Sequence, residues 1–179
     1  MIELFLGGAR SGKSKLAEQA AADSGLEVVY IATATAGDRQ MSERIDTHRE
    51  RRPDSWHLIE EPIALGKVIS ESMSADRCLL VDCLTLWLSN CMFASKQGCY
   101  QAQKQHLLAV LAQVQGMVIF VGNETNMGVI PMGEITREFC DNAGLLHQDL
   151  ASISDKVTLS VAGLPMVLKQ KNSVNVNTK

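Results

Sequence analysis

The apolar run at residues 2–6, Ile2-Glu3-Leu4-Phe5-Leu6, leads directly into Gly7-Gly8-Ala9-Arg10-Ser11-Gly12-Lys13-Ser14. That octet is a glycine, four residues, then Gly-Lys-Ser, a spacing that demands a strand, a tight turn and a helix in succession. The stretch Lys15-Leu16-Ala17-Glu18-Gln19-Ala20 supplies the helix-forming sequence. Glycines let successive backbone N–H groups turn inward as a cradle for phosphates. Lys13 adds a point charge near the outer phosphates, and the Ser14 hydroxyl can ligate Mg²⁺. The helix starting at Lys13 contributes the positive end of its dipole. The plain alternative is a glycine-rich turn with no ligand, which the strand before and the helix after argue against.

At 179 residues the chain suits one domain with a sizeable core and is too short for two ordinary ones. We expect a catalytic domain over 1–169 and a frayed polar tail over 170–179. With 46% hydrophobic and 21% charged residues and a net charge of -3, the chain has no general attraction to nucleic acid. Phosphate binding must then be local. No basic leader precedes a long apolar segment, and no apolar stretch approaches the roughly 20 residues that span a bilayer. A cytoplasmic protein is the default expectation. Cys78, Cys83, Cys91, Cys99 and Cys140 are odd in number and form no CxxC pair, which speaks against both a disulfide framework and a zinc site.

Short apolar runs at 2–6, 28–32, 78–81, 118–122 and 157–161 read as strands, with 166–168 as a last edge strand. Runs without polar alternation suit strands buried on both faces of a mostly parallel sheet. Helical patterns fall at 13–22, 40–51, 63–73, 84–94, 101–113 and 133–152. In the last, Ile135, Phe139, Leu146 and Leu150 recur at near-helical spacing and are expected to face the core. The fold class is therefore α/β, with helices on both faces of the sheet.

Three further positions carry chemistry. Cys78-Leu79-Leu80-Val81-Asp82 is an apolar strand ending in a carboxylate that could hold Mg²⁺ opposite Ser14. Residues 41–53 gather four arginines around His48, and on a helix Arg44 and His48 share a face. An imidazole with an ordinary pKa near 6.5 is largely neutral at pH 7 and nucleophilic, while arginines neutralise phosphate oxygens. The other reading of that segment is a solvated basic helix with His48 packed beside Met41 and Ile45. His57, His106 and His147 lack such a setting and read as structural. Glu124, after the strand at 118–122, is either a base or water-holding group or an ordinary loop residue.

Together these residues resemble the bifunctional adenosylcobinamide kinase/adenosylcobinamide-phosphate guanylyltransferase family of cobalamin biosynthesis. The matching stretches are GGARSGKS at 7–14, YIATA at 30–34, the RI, H and RP of RIDTHRERRP at 44–53, and Trp56, Glu60 and Glu61. LLVDCLTLWLSN at 79–90, NE and MGVIP within 123–131, and AGLP at 162–165 complete them. The resemblance covers nearly the whole chain. The phosphate loop is widely shared, whereas the RI…H…RP and MGVIP blocks are specific to the family.

The resemblance implies two reactions at one nucleotide site. A nucleoside triphosphate, ATP or GTP, phosphorylates the aminopropanol hydroxyl of adenosylcobinamide. GMP from GTP is then joined to adenosylcobinamide phosphate through a guanylyl-histidine, with loss of pyrophosphate. By position His48 matches that histidine. The resemblance further implies a single-domain P-loop fold like recombinase ATPase cores, and a homotrimer. It assigns nucleotide contacts to Gly7, Gly8, Ala9, Arg10, Ser11, Gly12, Lys13, Ser14, Thr33, Ala34, Thr35, Arg49, Glu50, Arg51, Arg52, Glu60 and Asp82, with Ser14 and Asp82 as Mg²⁺ ligands. One departure stands out: Asn126 replaces a glycine of the family's NEVGMG-like stretch, and asparagine is the next most tolerant residue of positive φ.

Two other functions compete. A simple P-loop small-molecule kinase would form no covalent intermediate. A GTP-dependent switch would want an NKxD motif, which is absent; Asp141-Asn142-Ala143-Gly144 matches a loose DxxG but falls inside a predicted helix.

Overall fold

The computed structural model describes residues 1–34, 53–94, 99–125 and 127–171. Seven strands form one sheet: β1 (Ile2–Gly7), β2 (Glu27–Ala32), β3 (His57–Glu60), β4 (Arg77–Asp82), β5 (Met117–Asn123), β6 (Lys156–Val161) and β7 (Leu164–Gln170). Their order is β3-β2-β4-β5-β1-β6-β7, with β7 alone antiparallel to its neighbour. Five helices are described: α1 (Lys13–Asp23), α2 (Leu65–Ser72), α3 (Leu84–Phe93), α4 (Cys99–Leu111) and α5 (Glu134–Ile153). The predicted helix at 40–51 lies outside the described residues.

Alternation along the central strands divides their side chains between two cores. Leu4, Leu6, Ile31, Leu79, Val81, Val118 and Phe120 face one side, against Leu65 and Ile69 of α2, Trp87 of α3, Leu107 of α4 and Leu146 and Leu150 of α5. Phe5, Val28, Tyr30, Cys78, Leu80, Ile119 and Val121 face the other, against Ala17 and Ala21 of α1. The small alanines let α1 lie close to the sheet, so the helix behind the phosphate loop is held firmly. The central parallel strands β1, β2, β4 and β5 are buried on both faces, as uninterrupted apolar runs require.

Three details differ from the sequence expectation. The short strand β3 carries no sequence signal, because His57-Leu58-Ile59-Glu60 is a half-exposed edge segment with no long apolar run. Ile135 is 60% exposed: it sits in the first turn of α5, ahead of where that helix meets the sheet, while Leu146 and Leu150 are buried and Phe139 packs at the core's margin. Gln170, expected in the frayed tail, belongs to β7. It pairs with Lys156, and Lys171 N–H donates to the Asp155 carbonyl.

Asp155 ties the ends of three strands together. Its carboxylate accepts the Ile2 N–H at 2.8 Å and the Lys171 ammonium at 2.7 Å. The Lys171 hydrogen bond, chiefly, holds its pKa below the ordinary value. A carboxyl with a depressed folded-state pKa stabilises the fold above its unfolded pKa and loses that contribution as pH falls through the folded value. Asp155→Asn is therefore expected to lower the urea midpoint at pH 7 and to shrink its decline between neutral and acid pH. Urea titrations at several pH values measure both.

Candidate active site

The phosphate loop joins the carboxyl end of β1 to α1. Ser11 N–H donates to the Gly8 carbonyl at 3.2 Å, and Leu16 N–H to the Gly12 carbonyl at 3.0 Å, which opens the helix. Gly12 holds φ at +94°, and a Cβ there would stand 3.0 Å from the Gly163 Cα. Only glycine meets both demands without displacing the loop.

That close neighbour belongs to a brace formed by the turn between β6 and β7. The Ser11 carbonyl accepts the Gly163 N–H at 2.8 Å and the Ser160 hydroxyl at 2.6 Å. The loop is thus tied to two strands on its outer side. A cradle prearranged in this way loses little conformational entropy when phosphate enters.

Lys13 lies over the loop with its ammonium 3.1 Å from the Gly8 carbonyl. It is only 8% exposed. Burial lowers its pKa, opposed by the neighbouring Cys83 and Asp82 side chains. The Asp82 effect brings the strand-end carboxylate and the loop lysine into one electrostatic site. Asp82 is itself oriented by Tyr30, whose hydroxyl donates to its Oδ2 at 2.9 Å. Tyr30 is buried in β2 and stacks on Trp56 with ring centroids 6.5 Å apart.

Beyond β2, Thr33 is fully buried. Its hydroxyl donates to the Cys83 carbonyl at 2.7 Å and accepts the Cys83 N–H at 2.8 Å. The side chain therefore fastens the ends of β2 and β4 to each other, and Asn90 of α3 donates to the Thr33 carbonyl at 2.8 Å. Ala34 follows, half-buried, as the last described residue of the segment. Glu60 closes β3 and is exposed, while Glu61 supplies the turn: its Oε1 accepts the N–H groups of Ile63 and Ala64, each at 2.8 Å.

Carboxylates thus stand at the carboxyl ends of β3, β4 and β5: Glu60, Asp82 and Glu124. The edge of a parallel sheet is where such groups converge on a ligand. Burial pushes the thiols of Cys78 and Cys83 to about 11 and that of Cys91 to about 12. None of these three supplies a thiolate near neutral pH. Among the described residues there is no group of three His, Cys, Asp or Glu side chains arranged to hold a metal ion. Ser14 and Asp82 would bind Mg²⁺ as one hydroxyl and one carboxylate completed by phosphate oxygens and water, a donor set that suits this ion.

A family model described as cobinamide kinase / cobinamide phosphate guanyltransferase matches residues 3–168. The chain belongs to that family. It is therefore a transferase of cobalamin biosynthesis. The bifunctional adenosylcobalamin biosynthesis protein CobP of Pseudomonas aeruginosa is 52% identical over 169 residues, covering 94% of this chain and 98% of the relative. The corresponding CobU proteins of Salmonella typhimurium and Escherichia coli are 35% and 33% identical, each match covering 94% of this chain and 100% of the relative. Among solved structures, the RadB recombinase aligns with a TM-score of 0.51 at 16% identity, covering 88% of this chain and 73% of that one. A second solved structure, an ATPase domain, aligns with a TM-score of 0.52 at 11% identity, covering 96% of this chain and 77% of that one. These likenesses establish the recombinase-type P-loop fold.

The fold brings together the phosphate loop, Lys13, Ser14 and Asp82. Thr35, His48, Arg49, Glu50, Arg51 and Arg52 lie outside the described residues. Tyr30, Ser160 and Gly163 escape a reading of the sequence for chemistry. Their contributions depend on partners 52, 149 and 152 positions away, which local patterns do not reveal. The family resemblance marks YIATA and AGLP without a physical reason for either; orientation of Asp82 and support of the loop supply one.

Proposed function

We propose that one nucleotide site serves both reactions, and that the guanylyl step proceeds through covalent attachment of GMP to His48. The observation that supports this reading is the single phosphate cradle at the end of β1, which carries Lys13 and is braced by Ser160 and Gly163. In the kinase step the cradle presents the γ-phosphorus of ATP or GTP to adenosylcobinamide. In the guanylyl step neutral His48 attacks the α-phosphorus of GTP, and pyrophosphate leaves toward Lys13 and Arg49, Arg51 and Arg52. Adenosylcobinamide phosphate then takes the GMP. Mg²⁺, held by Ser14 and Asp82, would supply charge neutralisation on the phosphates. Most of the acceleration comes from positioning and fixed charge.

Glu60 stands on β3, four strands from β1, which at about 4.8 Å per strand is roughly 19 Å along the sheet edge. That separation suits recognition of ribose or base better than of the loop-bound phosphates.

A homotrimer fits the apolar surface left open. Leu164, Met166, Val167 and Leu168 of the edge strand β7 are each at least half exposed, as are Met127, Val129, Ile130 and Met132. Edge strands of this kind are normally covered. The cytoplasm suits an enzyme consuming nucleoside triphosphates, and no described helix is long and apolar enough to cross a membrane.

Incubation with α-labelled GTP and Mg²⁺ tests the covalent step. The expected product is an acid-labile, alkali-stable protein adduct that adenosylcobinamide phosphate discharges. Absence of an adduct would leave a kinase without a covalent intermediate.

A further inference from the structure

Two titratable side chains meet beside the phosphate loop, and neither has a role in the mechanism so far. Glu124 follows β5, and its N–H donates to the Gly7 carbonyl at 3.0 Å, which sets it against the first residue of the loop. The end of β5 is fixed from α3 as well, where the Thr85 hydroxyl accepts the Asn123 N–H at 2.8 Å. The Glu124 carboxylate is largely enclosed. Its Oε2 lies 3.9 Å from Nδ1 of His147, a residue of α5 that is only 7% exposed.

The placement of His147 constrains the backbone around it. A Cβ on Gly122 would come within 2.9 Å of the imidazole Nε2 and 3.1 Å of Leu6 Cδ2. The glycine therefore makes room for the ring between β5 and β1. Nδ1 is buried without a hydrogen-bond partner among the described residues. Burial also favours the neutral imidazole, and the charged group acting on it among the described residues is Glu124. A buried polar atom left in this state calls for an explanation beyond packing. Hydrogen bonds between catalytic groups are often long until substrate is bound.

The chemistry of the successive transfers shows what such a pair can do. When His48 attacks GTP, the nucleophile is a neutral ring nitrogen. When adenosylcobinamide phosphate takes GMP, the acceptor is a phosphate oxygen already ionised. Only the kinase step has an alcohol as acceptor, and only an alcohol must lose a proton as its oxygen bonds to phosphorus. Of the three strand-end carboxylates, Glu124 is on the strand next to β1, whereas Asp82 is one strand further away and Glu60 four strands from β1. Asp82 is also assigned to the metal.

We propose that Glu124 is the general base of the kinase step, held toward the acceptor alcohol by His147 as a positioning residue. In this step the acceptor O–H bond breaks and its proton passes to the Glu124 carboxylate. The acceptor oxygen bonds to the γ-phosphorus, and the bridging P–O bond breaks with its electron pair leaving on the nucleoside diphosphate. The inference rests on the family's kinase activity.

The test compares two reactions in the same variant: phosphorylation of adenosylcobinamide by γ-labelled ATP, and self-guanylylation by α-labelled GTP. Glu124→Gln is expected to lower the kinase kcat by about 10²–10⁴-fold, with self-guanylylation and nucleotide Kd within about threefold of the unmodified protein. His147→Leu is expected to lower the kinase kcat by about tenfold and to move the acid limb of its pH profile upward, because an apolar side chain replaces the imidazole 3.9 Å from the carboxylate and disfavours the ionised form. Should Glu124→Gln not fold, Glu124→Asp retains the charge and retracts the carboxylate, and the same selective kinase loss is expected. A kinase rate within threefold of the unmodified protein, or an equal loss of both reactions, would overturn the base. An unmoved acid limb in His147→Leu would overturn the positioning role. An unmodified protein with no kinase activity would instead overturn the functional reading on which the inference stands.

Discussion

Lys13→Met is expected to lower kcat/KM of both transfers by about 10³-fold or more, since each needs a positive charge on the phosphates held by the loop. The thioether keeps most of the stem's volume, so the loop and its brace by Ser160 and Gly163 remain. Stability is expected to move in the opposite direction to activity. Burial depresses the Lys13 pKa, which means that the folded state disfavours the ammonium relative to the unfolded chain. Replacing it with an apolar group removes that penalty, and Tm should rise. A thermal melt beside the two kinetic assays reads both effects. Activity bought with stability in this way is common at functional sites.

His48→Ala is expected to separate the two chemistries. Self-guanylylation and formation of adenosylcobinamide-GDP should fall by about 10⁴-fold or more, as happens when a covalent nucleophile is removed. Phosphorylation of adenosylcobinamide should persist within a few-fold, because the γ-phosphorus is transferred directly to the acceptor. The γ-labelled and α-labelled assays distinguish the two. Parallel loss of both activities would mean that His48 acts in binding, and full retention of both would remove the histidine from the mechanism.

The contrast between these two variants follows from how the site is built. Lys13 sits where the phosphates must rest in either reaction, and the rigid strand-loop-helix unit gives it little freedom. Guanylyl transfer needs the α-phosphorus to reach one nucleophile, and phosphoryl transfer needs the γ-phosphorus to reach another. A fixed cradle with two nucleophiles is the simplest arrangement that meets both needs.

Much of this was legible in the sequence. The octet from Gly7 to Ser14 prescribes its own strand, turn and helix. The apolar runs at 78–81 and 118–122, followed by Asp82 and by Asn123 and Glu124, announce buried parallel strands whose carboxyl ends carry polar groups. Less legible were features that depend on contact between distant segments. Nothing local marks Tyr30 as the donor to Asp82, because it is the pairing of β2 with β4 that brings them together. His147 lacks the basic setting that draws attention to His48, and its importance emerges only when α5 lays it against Gly122. Strand β3 is too short and exposed to leave a periodic signal. Ile135 follows helical spacing yet falls beyond the core, since periodicity fixes a face of a helix and not how far the sheet extends beneath it.

The central claim is that a single phosphate cradle serves both reactions, and competition at equilibrium tests it most directly. A GTP analogue with a methylene between the α- and β-phosphorus cannot donate GMP, so with no adenosylcobinamide present its binding can be measured without turnover. The prediction is one analogue bound per chain, with competitive inhibition of ATP-dependent adenosylcobinamide phosphorylation and of self-guanylylation by GTP at the same Ki. Two analogues bound per chain, or inhibition of guanylylation that leaves phosphorylation by ATP unaffected, would contradict it.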